Sequence, residues 1–244
     1  AMSAILTEID PADLPPALIP PPPTVMPGDY LIYHDESDGY YKAVRLSDGV
    51  VTHSHPTDAA AVINGLLSSL GSALYYSPSN PNPNFREGTK VTLDSGSFNT
   101  YQTIVIPPNQ DFIFEADRAI INTVLTNSDI IRIDSSMNSK FILPLITSAP
   151  GSNDTAVRIK PQNAGPDGLT VFTTCELYIE AVVGDMDGLT MDASLGGIEF
   201  LRGEIKEINL YGSASPKRGI YIPVPGVNKA VRGNELKILR VNAA

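Results

Sequence analysis

Among 244 residues there is one cysteine, no tryptophan and only three histidines. A single thiol, Cys175, leaves no intrachain disulfide to form and excludes a disulfide-stapled scaffold. It opens an apolar stretch, where a thiol reads as a small core side chain rather than a nucleophile. No run approaches the roughly 18 consecutive apolar residues of a bilayer span, so no membrane insertion is expected. Residues 1–10 are polar and mixed, without the pattern of a secretory signal. Basic residues are outnumbered: 17 Lys and Arg stand against 27 Asp and Glu, a formal charge of −10 with a pI near 4.7. That balance argues against nucleic acid and anionic membrane as partners and suits a soluble, exposed surface.

What the chain does have is a repeat. DIIRID (129–134), TAVRIK (155–160), DGLTMD (187–192) and RGIYIP (218–223) start 26, 32 and 31 residues apart. Aligned, Ile131, Val157, Leu189 and Ile220 share one column, and Ile133, Ile159, Met191 and Ile222 share another. Polar or mixed residues lie between them, the alternation of a strand with one buried face. A strand that recurs at this period predicts a right-handed parallel β-helix, each coil burying its apolar columns against the next. A second strand per coil is expected at 175–181, 203–209 and 234–240, with 139–145 as a weaker first member. In that alignment Leu177, Ile205 and Leu236 point inward, Glu176, Glu204 and Glu235 stack just before them, and a bend or bulge falls at Glu207-Ile208.

Three segments are expected along the chain. Residues 1–28 form a linker, with eight prolines within positions 11–27. Residues 29–74 form a β-hairpin or meander and one helix: strand-like pieces at 30–34, 40–46 and 50–53 are joined through Asp38-Gly39 and Asp48-Gly49. Thr57 or Asp58 caps a helix to about Leu70, stopped by Gly71, which covers the open end of the first coil. Residues 75–244 form the β-helix, entered after a turn-rich loop at 77–88, with further strands at 103–106, 112–116 and 119–125.

The opening carries a family likeness. Tyr-x-Ile-Tyr at 30–33, Asp-Ala-Ala-x-Val-Ile-Asn at 58–64, Gly-Thr-x-Val-x-Leu-x-x-Gly-x-Phe at 88–98 and Ile-x-Ile-Pro-x-Asn at 104–109 resemble the start of pectate-lyase-superfamily β-helices. The hairpin-first form is similar to that of viral and archaeal surface proteins, and 9–20 resembles junctions between modules of phage tail fibres. The resemblance implies a β-helix over about residues 28–244, placed outside a cell or on a virion surface, and says little of activity.

Chemistry has few places to sit. On the outward face of the repeated strand, Asp134, Lys160 and Asp192 are expected to form a charge ladder beside Arg132, Arg158, Thr190 and Tyr221. Such a face is either simply solvated or a shallow glycan groove, in which arginines hold sugar carboxylates or sulfates and Tyr221 stacks on a ring. The column Glu176, Glu204, Glu235 fits an exposed corner or, alternatively, a calcium ion. GDMDG at 184–188 shares Asp-x-Asp-Gly with calcium loops but reads as a tight turn. His34, His53 and His55 would bind zinc only if they converge.

Enzymatic signatures of the resembling superfamily are sparse. There is no Asp-Asp pair and no histidine after His55, as its hydrolases require, and no tryptophan for the lyase signature. Asp134 and Asp192, two rungs apart, fall near the roughly 5–9.5 Å of glycosidase carboxylates, but Lys160 between them would keep both ionised. The expectation is therefore a non-enzymatic module of a virion tail fibre or surface protein, rigid and glycan-contacting, without a cofactor and assembling as a homo-oligomer, a trimer. The alternative is a lyase or hydrolase acting on an acidic polysaccharide. The final strand, 234–240, is expected to leave the last coil uncovered, calling for further chain or association.

Overall fold

Glycine placement starts the fold. In the computed structural model, which describes residues 29–71, 89–148, 155–163, 169–211, 217–233 and 235–243, Gly39 (φ +76°) and Gly49 (φ +72°) turn the chain between β1 (Asp29–Asp35), β2 (Tyr40–Arg45) and β3 (Val51–His55). The preceding aspartates fasten each turn, Asp38 accepting from Tyr40 N–H at 3.0 Å and Asp48 from Val50 N–H at 3.1 Å. The three strands pair antiparallel, with Tyr30, Ile32, Tyr41 and Ala43 buried. The expected linker at 1–28 and loop at 77–88 lie outside the described residues.

Asp58 then caps α1 (Ala59–Ser69), its side chain accepting from Ala60 N–H at 3.0 Å. Val62, Ile63, Leu66 and Leu67 are buried. The helix ends at Leu70 in right-handed backbone, so Gly71 stops it without adopting the positive φ of a glycine cap.

From here the pairing is parallel. The chain runs through β4 (Lys90–Leu93), β5 (Gly96–Thr100), β6 (Ile104–Ile106), β7 (Asn109–Gln110), β8 (Ile113–Glu115), β9 (Ala119–Thr123), β10 (Ile131–Ile133) and β11 (Ser136–Met137). It continues through β12 (Lys140–Ser148), β13 (Thr155–Ile159), β14 (Val171–Gly184), β15 (Asp187–Met191), β16 (Gly197–Leu210) and β17 (Ile220–Tyr221), and ends in β18 (Val231–Gly233), β19 (Leu236–Ile238) and β20 (Val241–Ala243). The described chain is thus mainly β, with long parallel sheets after an antiparallel start and one helix.

One sheet takes the order β17-β15-β13-β10-β6 and holds the repeat. Ile104, Ile131, Val157, Leu189 and Ile220 lie side by side, as do Ile106, Ile133, Ile159 and Met191. The second column loses its expected last member: β17 stops at Tyr221, and Ile222 is 47% exposed. At the opposite edge of this sheet, α1 supplies what a neighbouring strand would. Asn64 Nδ2 donates to the Thr103 carbonyl and Asn64 Oδ1 accepts from Val105 N–H, both at 2.8 Å. Asp58 also accepts from Tyr101 N–H at 3.2 Å and Gln102 Nε2 at 2.7 Å. An edge strand left bare is a template for unwanted pairing, and two polar side chains of one helix close this one.

The larger sheet corrects the expected alignment. Leu177 lies opposite Gly203, and Ile179 opposite Ile205, two residues from the one-for-one match of 175–181 with 203–209. The register shifts between Phe172 and Glu176, where Thr174 takes a positive φ of 51°. At the predicted bend the register runs on unbroken through Ala181 opposite Glu207 and Val182 opposite Ile208. Two consecutive residues face away from the core on each strand there, Glu180-Ala181 and Lys206-Glu207, so the feature is a corner rather than a bulge.

Between the sheets runs a column of phenylalanines. Phe112 lies 6.3 Å from Phe141, Phe141 5.9 Å from Phe172 and Phe172 5.3 Å from Phe200. Cys175 is buried in the same cluster, and burial pushes its thiol pKa up to about 12. The thiolate is the reactive form, so native protein at neutral pH is expected to resist iodoacetamide and to alkylate fully only in denaturant. Intact mass measured with and without denaturant checks this; fast native alkylation would mean the site opens.

Candidate functional site

The outward side of β10 and β13 forms a polar trough of about 570 Å³, lined by Asn127, Ser128, Asp129, Arg132, Thr155, Arg158, Lys160 and Gln162. Parallel pairing sets Arg132 directly beside Arg158, and Lys160 follows two residues on from Arg158. Three cations of the six candidates therefore come together. Within this group Arg158 and Lys160 are compensated. Arg158 Nε donates to both Asp129 oxygens at 2.7 and 2.8 Å, and its Nη1 lies 4.0 Å from Asp192. Lys160 Nζ sits 3.5 Å from the same Asp192 oxygen. Burial alone would raise the Asp192 carboxyl, but hydrogen bonding from Ser194 and the charge of Lys160 outweigh it and hold it below the usual carboxylate range.

Arg132 differs. Among the described residues no carboxylate forms an ion pair with it, and its Nε is buried without a hydrogen-bond partner. A buried N–H on a cation left unpaired is costly, and the trough is where its guanidinium meets open space.

The other three candidates are placed differently. Asp134 is fully buried: its Oδ1 accepts from Ser135, Gln162 and Asn163 N–H at 2.8, 2.9 and 3.0 Å, and its Oδ2 from Asn163 Nδ2. Because β10 ends at Ile133, the alternation that would have pointed Asp134 outward has already stopped. This takes Asp134 out of the expected ladder and out of any exposed carboxylate pair with Asp192. Asp192 itself is largely covered. Tyr221 has one ring face occupied, with the Arg218 guanidinium 3.4 Å above its centre. Thr190 beside it is buried, its hydroxyl 3.1 Å from that of Thr155, so the ladder is open only over β10 and β13.

Sequence reasoning missed Asp129 and Thr155, though a signal was present. They open the first two repeat phrases, the position that Asp187 and Arg218 occupy in the third and fourth. There Arg218 Nε donates to Asp187 Oδ2 at 3.0 Å. Asp185 meanwhile pairs with Lys217 at 2.8 Å, so both aspartates of 184–188 are engaged by cations. The expected glutamate column dissolves with the corrected register: Lys140, Glu176, Arg202 and Glu235 form one alternating row, with Tyr178, Glu204 and Lys237 in the next. A second groove of about 360 Å³ lies here, in which Lys140 Nζ is 5.3 Å from the Tyr178 ring centre and Lys206 is 2.5 Å from Glu180.

The histidines do separate work. His34 packs on Tyr41 with ring centres 4.7 Å apart. The His53 ring lies against Gly65 of α1, and burial lowers its pKa. His55 Nδ1 accepts from Asp58 N–H at 2.9 Å at the helix entry. Among the described residues no group of three His, Cys, Asp or Glu is placed to hold a metal ion, and no helix is long and apolar enough to cross a membrane. No family model, curated protein or solved structure matches this chain.

Proposed function

We propose that the chain is a β-helical module of a virion fibre or cell-surface protein, rigid along its stack, which contacts acidic glycans through the trough over β10 and β13. Two sheets whose parallel partners recur about one coil apart in sequence support the solenoid. The observation that carries the ligand is Arg132, a guanidinium with no carboxylate partner among the described residues of a chain with ten excess negative charges. A carboxylate or sulfate group on a sugar supplies the acceptors that Arg132 lacks, and Thr155, Gln162 and Lys160 line the same space for hydroxyls.

The test is binding of uronate-bearing, sulfated and neutral polysaccharides to the protein and to Arg132→Gln. Acidic glycans are expected to bind, neutral ones not, and Arg132→Gln to weaken binding by about ten- to a hundred-fold, the worth of a charged hydrogen bond. Equal binding by Arg132→Gln would remove the trough from the account. Product release that Asp192→Asn abolishes would replace it with a lyase or hydrolase.

A further inference from the structure

Five basic side chains lie on or just before the strands of the smaller sheet: Arg132 on β10, Arg158 and Lys160 at β13, and Lys217 and Arg218 ahead of β17. Carboxylates answer four of them one to one. Arg158 pairs with Asp129, Lys160 with Asp192, Lys217 with Asp185 and Arg218 with Asp187. Asp134 is spent elsewhere, fully buried among neutral donors. Among the described residues Arg132 is thus the one cation of the five without a carboxylate partner.

The answering carboxylates stay close to the trough. Asp129 lines it, and Asp192 adjoins it through Arg158 and Lys160. A second negative charge beside one bound at Arg132 would therefore meet fixed carboxylates and no free cation, and like charges brought together are costly. The remaining lining groups, Asn127, Ser128, Thr155 and Gln162, are neutral donors and acceptors of the kind that sugar hydroxyls and amides match. The net charge of −10 on the chain adds a long-range bias against a polyanion.

Taking the trough as the glycan site proposed above, we infer that it selects sparsely charged glycans, with one acidic sugar at Arg132 flanked by neutral ones. Asp129 and Asp192 set this preference: each holds a neighbouring cation in a pair and turns a second acid away. Such discrimination comes from the repulsive element as much as from the attractive one. A glycan charged on every sugar gains nothing from its extra acids.

Calorimetric titration of the full chain with one oligouronate in three forms tests this: all carboxylates free, a single one free with the rest methyl-esterified, and all esterified. The single-acid form is expected to bind at least as tightly as the fully charged one, and the neutral form not to bind. Asp129→Asn keeps an oxygen for Arg158 Nε, and Asp192→Asn keeps one for the Ser194 N–H, while each removes a charge. Either variant is expected to tighten the fully charged form by about tenfold, as one cation is released to it, and the single-acid form much less. Unchanged melting temperatures separate altered selectivity from altered fold. Wild-type protein that prefers the fully charged form by about tenfold or more, or two variants that leave the preference unmoved, would overturn the inference while the trough stays a glycan site. Binding of no form, or equal binding of all forms by Arg132→Gln, would remove the trough itself and the selectivity with it.

Discussion

Phe141→Ala is expected to destabilise the protein by about 3–5 kcal/mol, the range for emptying a phenylalanine site in a rigid core. Phe141 is fully buried, with Phe112 and Phe172 on either side at 6.3 and 5.9 Å. Its neighbours belong to strands hydrogen-bonded in register, Phe114 and Leu177 lying directly beside it, so they cannot close over the vacancy without breaking the ladder. The rings also gain from tilted and offset contacts worth about 0.5–1.5 kcal/mol per pair beyond area. Phe141→Leu keeps most of the volume and is expected to lose about 1.5 kcal/mol or less. Equilibrium denaturation with urea reads both, and Arg132→Gln serves as the comparison because its side chain faces the trough. A loss below about 1 kcal/mol for Phe141→Ala would mean that the column is not the packed centre of the fold.

The sequence made the smaller sheet legible and the larger one only in outline. In the repeat phrases the apolar residues stand at every second place, and nothing interrupts β10, β13 or β15, so Ile131, Val157 and Leu189 could be aligned by eye. The same parity brought Arg132 beside Arg158. Along β14 the alternation contains a shift at Thr173-Thr174, and a threonine with φ of 51° has no sequence mark. The row of Lys140, Glu176 and Arg202 was hidden for another reason. The strands pair 26 residues apart on both sides of that shift, Phe172 with Ile198 and Glu176 with Arg202, whereas the apolar alternation matches Leu177 to Ile205 equally well and lines up the glutamates instead. Side chains just past a strand end were the other failure. Asp134 and Ile222 were assigned faces by extending an alternation beyond the last hydrogen-bonded residue, where local partners decide instead. The antiparallel module and helix cap were readable because Asp-Gly turns and an Asp N-cap act within a few residues.

Asp134 supplies the second large effect, and its partners show how to separate charge from geometry. Asp134→Ala would leave the N–H groups of Ser135, Gln162 and Asn163 without the acceptor that Oδ1 provides, along with Asn163 Nδ2. Ser135 is buried, Gln162 half-buried and Asn163 exposed, so only some of these donors bear the roughly 1–3 kcal/mol of an orphaned buried group, and a loss of about 2–4 kcal/mol is expected. Asp134→Asn keeps Oδ1 for the three backbone donors but sets an amide NH2 against that of Asn163. It should therefore lose about 1–3 kcal/mol, mostly from that one contact. Adding Asn163→Asp restores a donor facing an acceptor, and the double variant is expected to recover most of that loss. Thermal unfolding of the three variants decides the matter, since only a specific clamp produces recovery in the exchange. Because Gln162 also lines the trough, the clamp holds one wall of that trough to the end of β10. Asp134→Asn with Asn163→Asp should then retain binding where Asp134→Ala weakens it, which ties the buried carboxylate to the exposed arginine through the backbone between them.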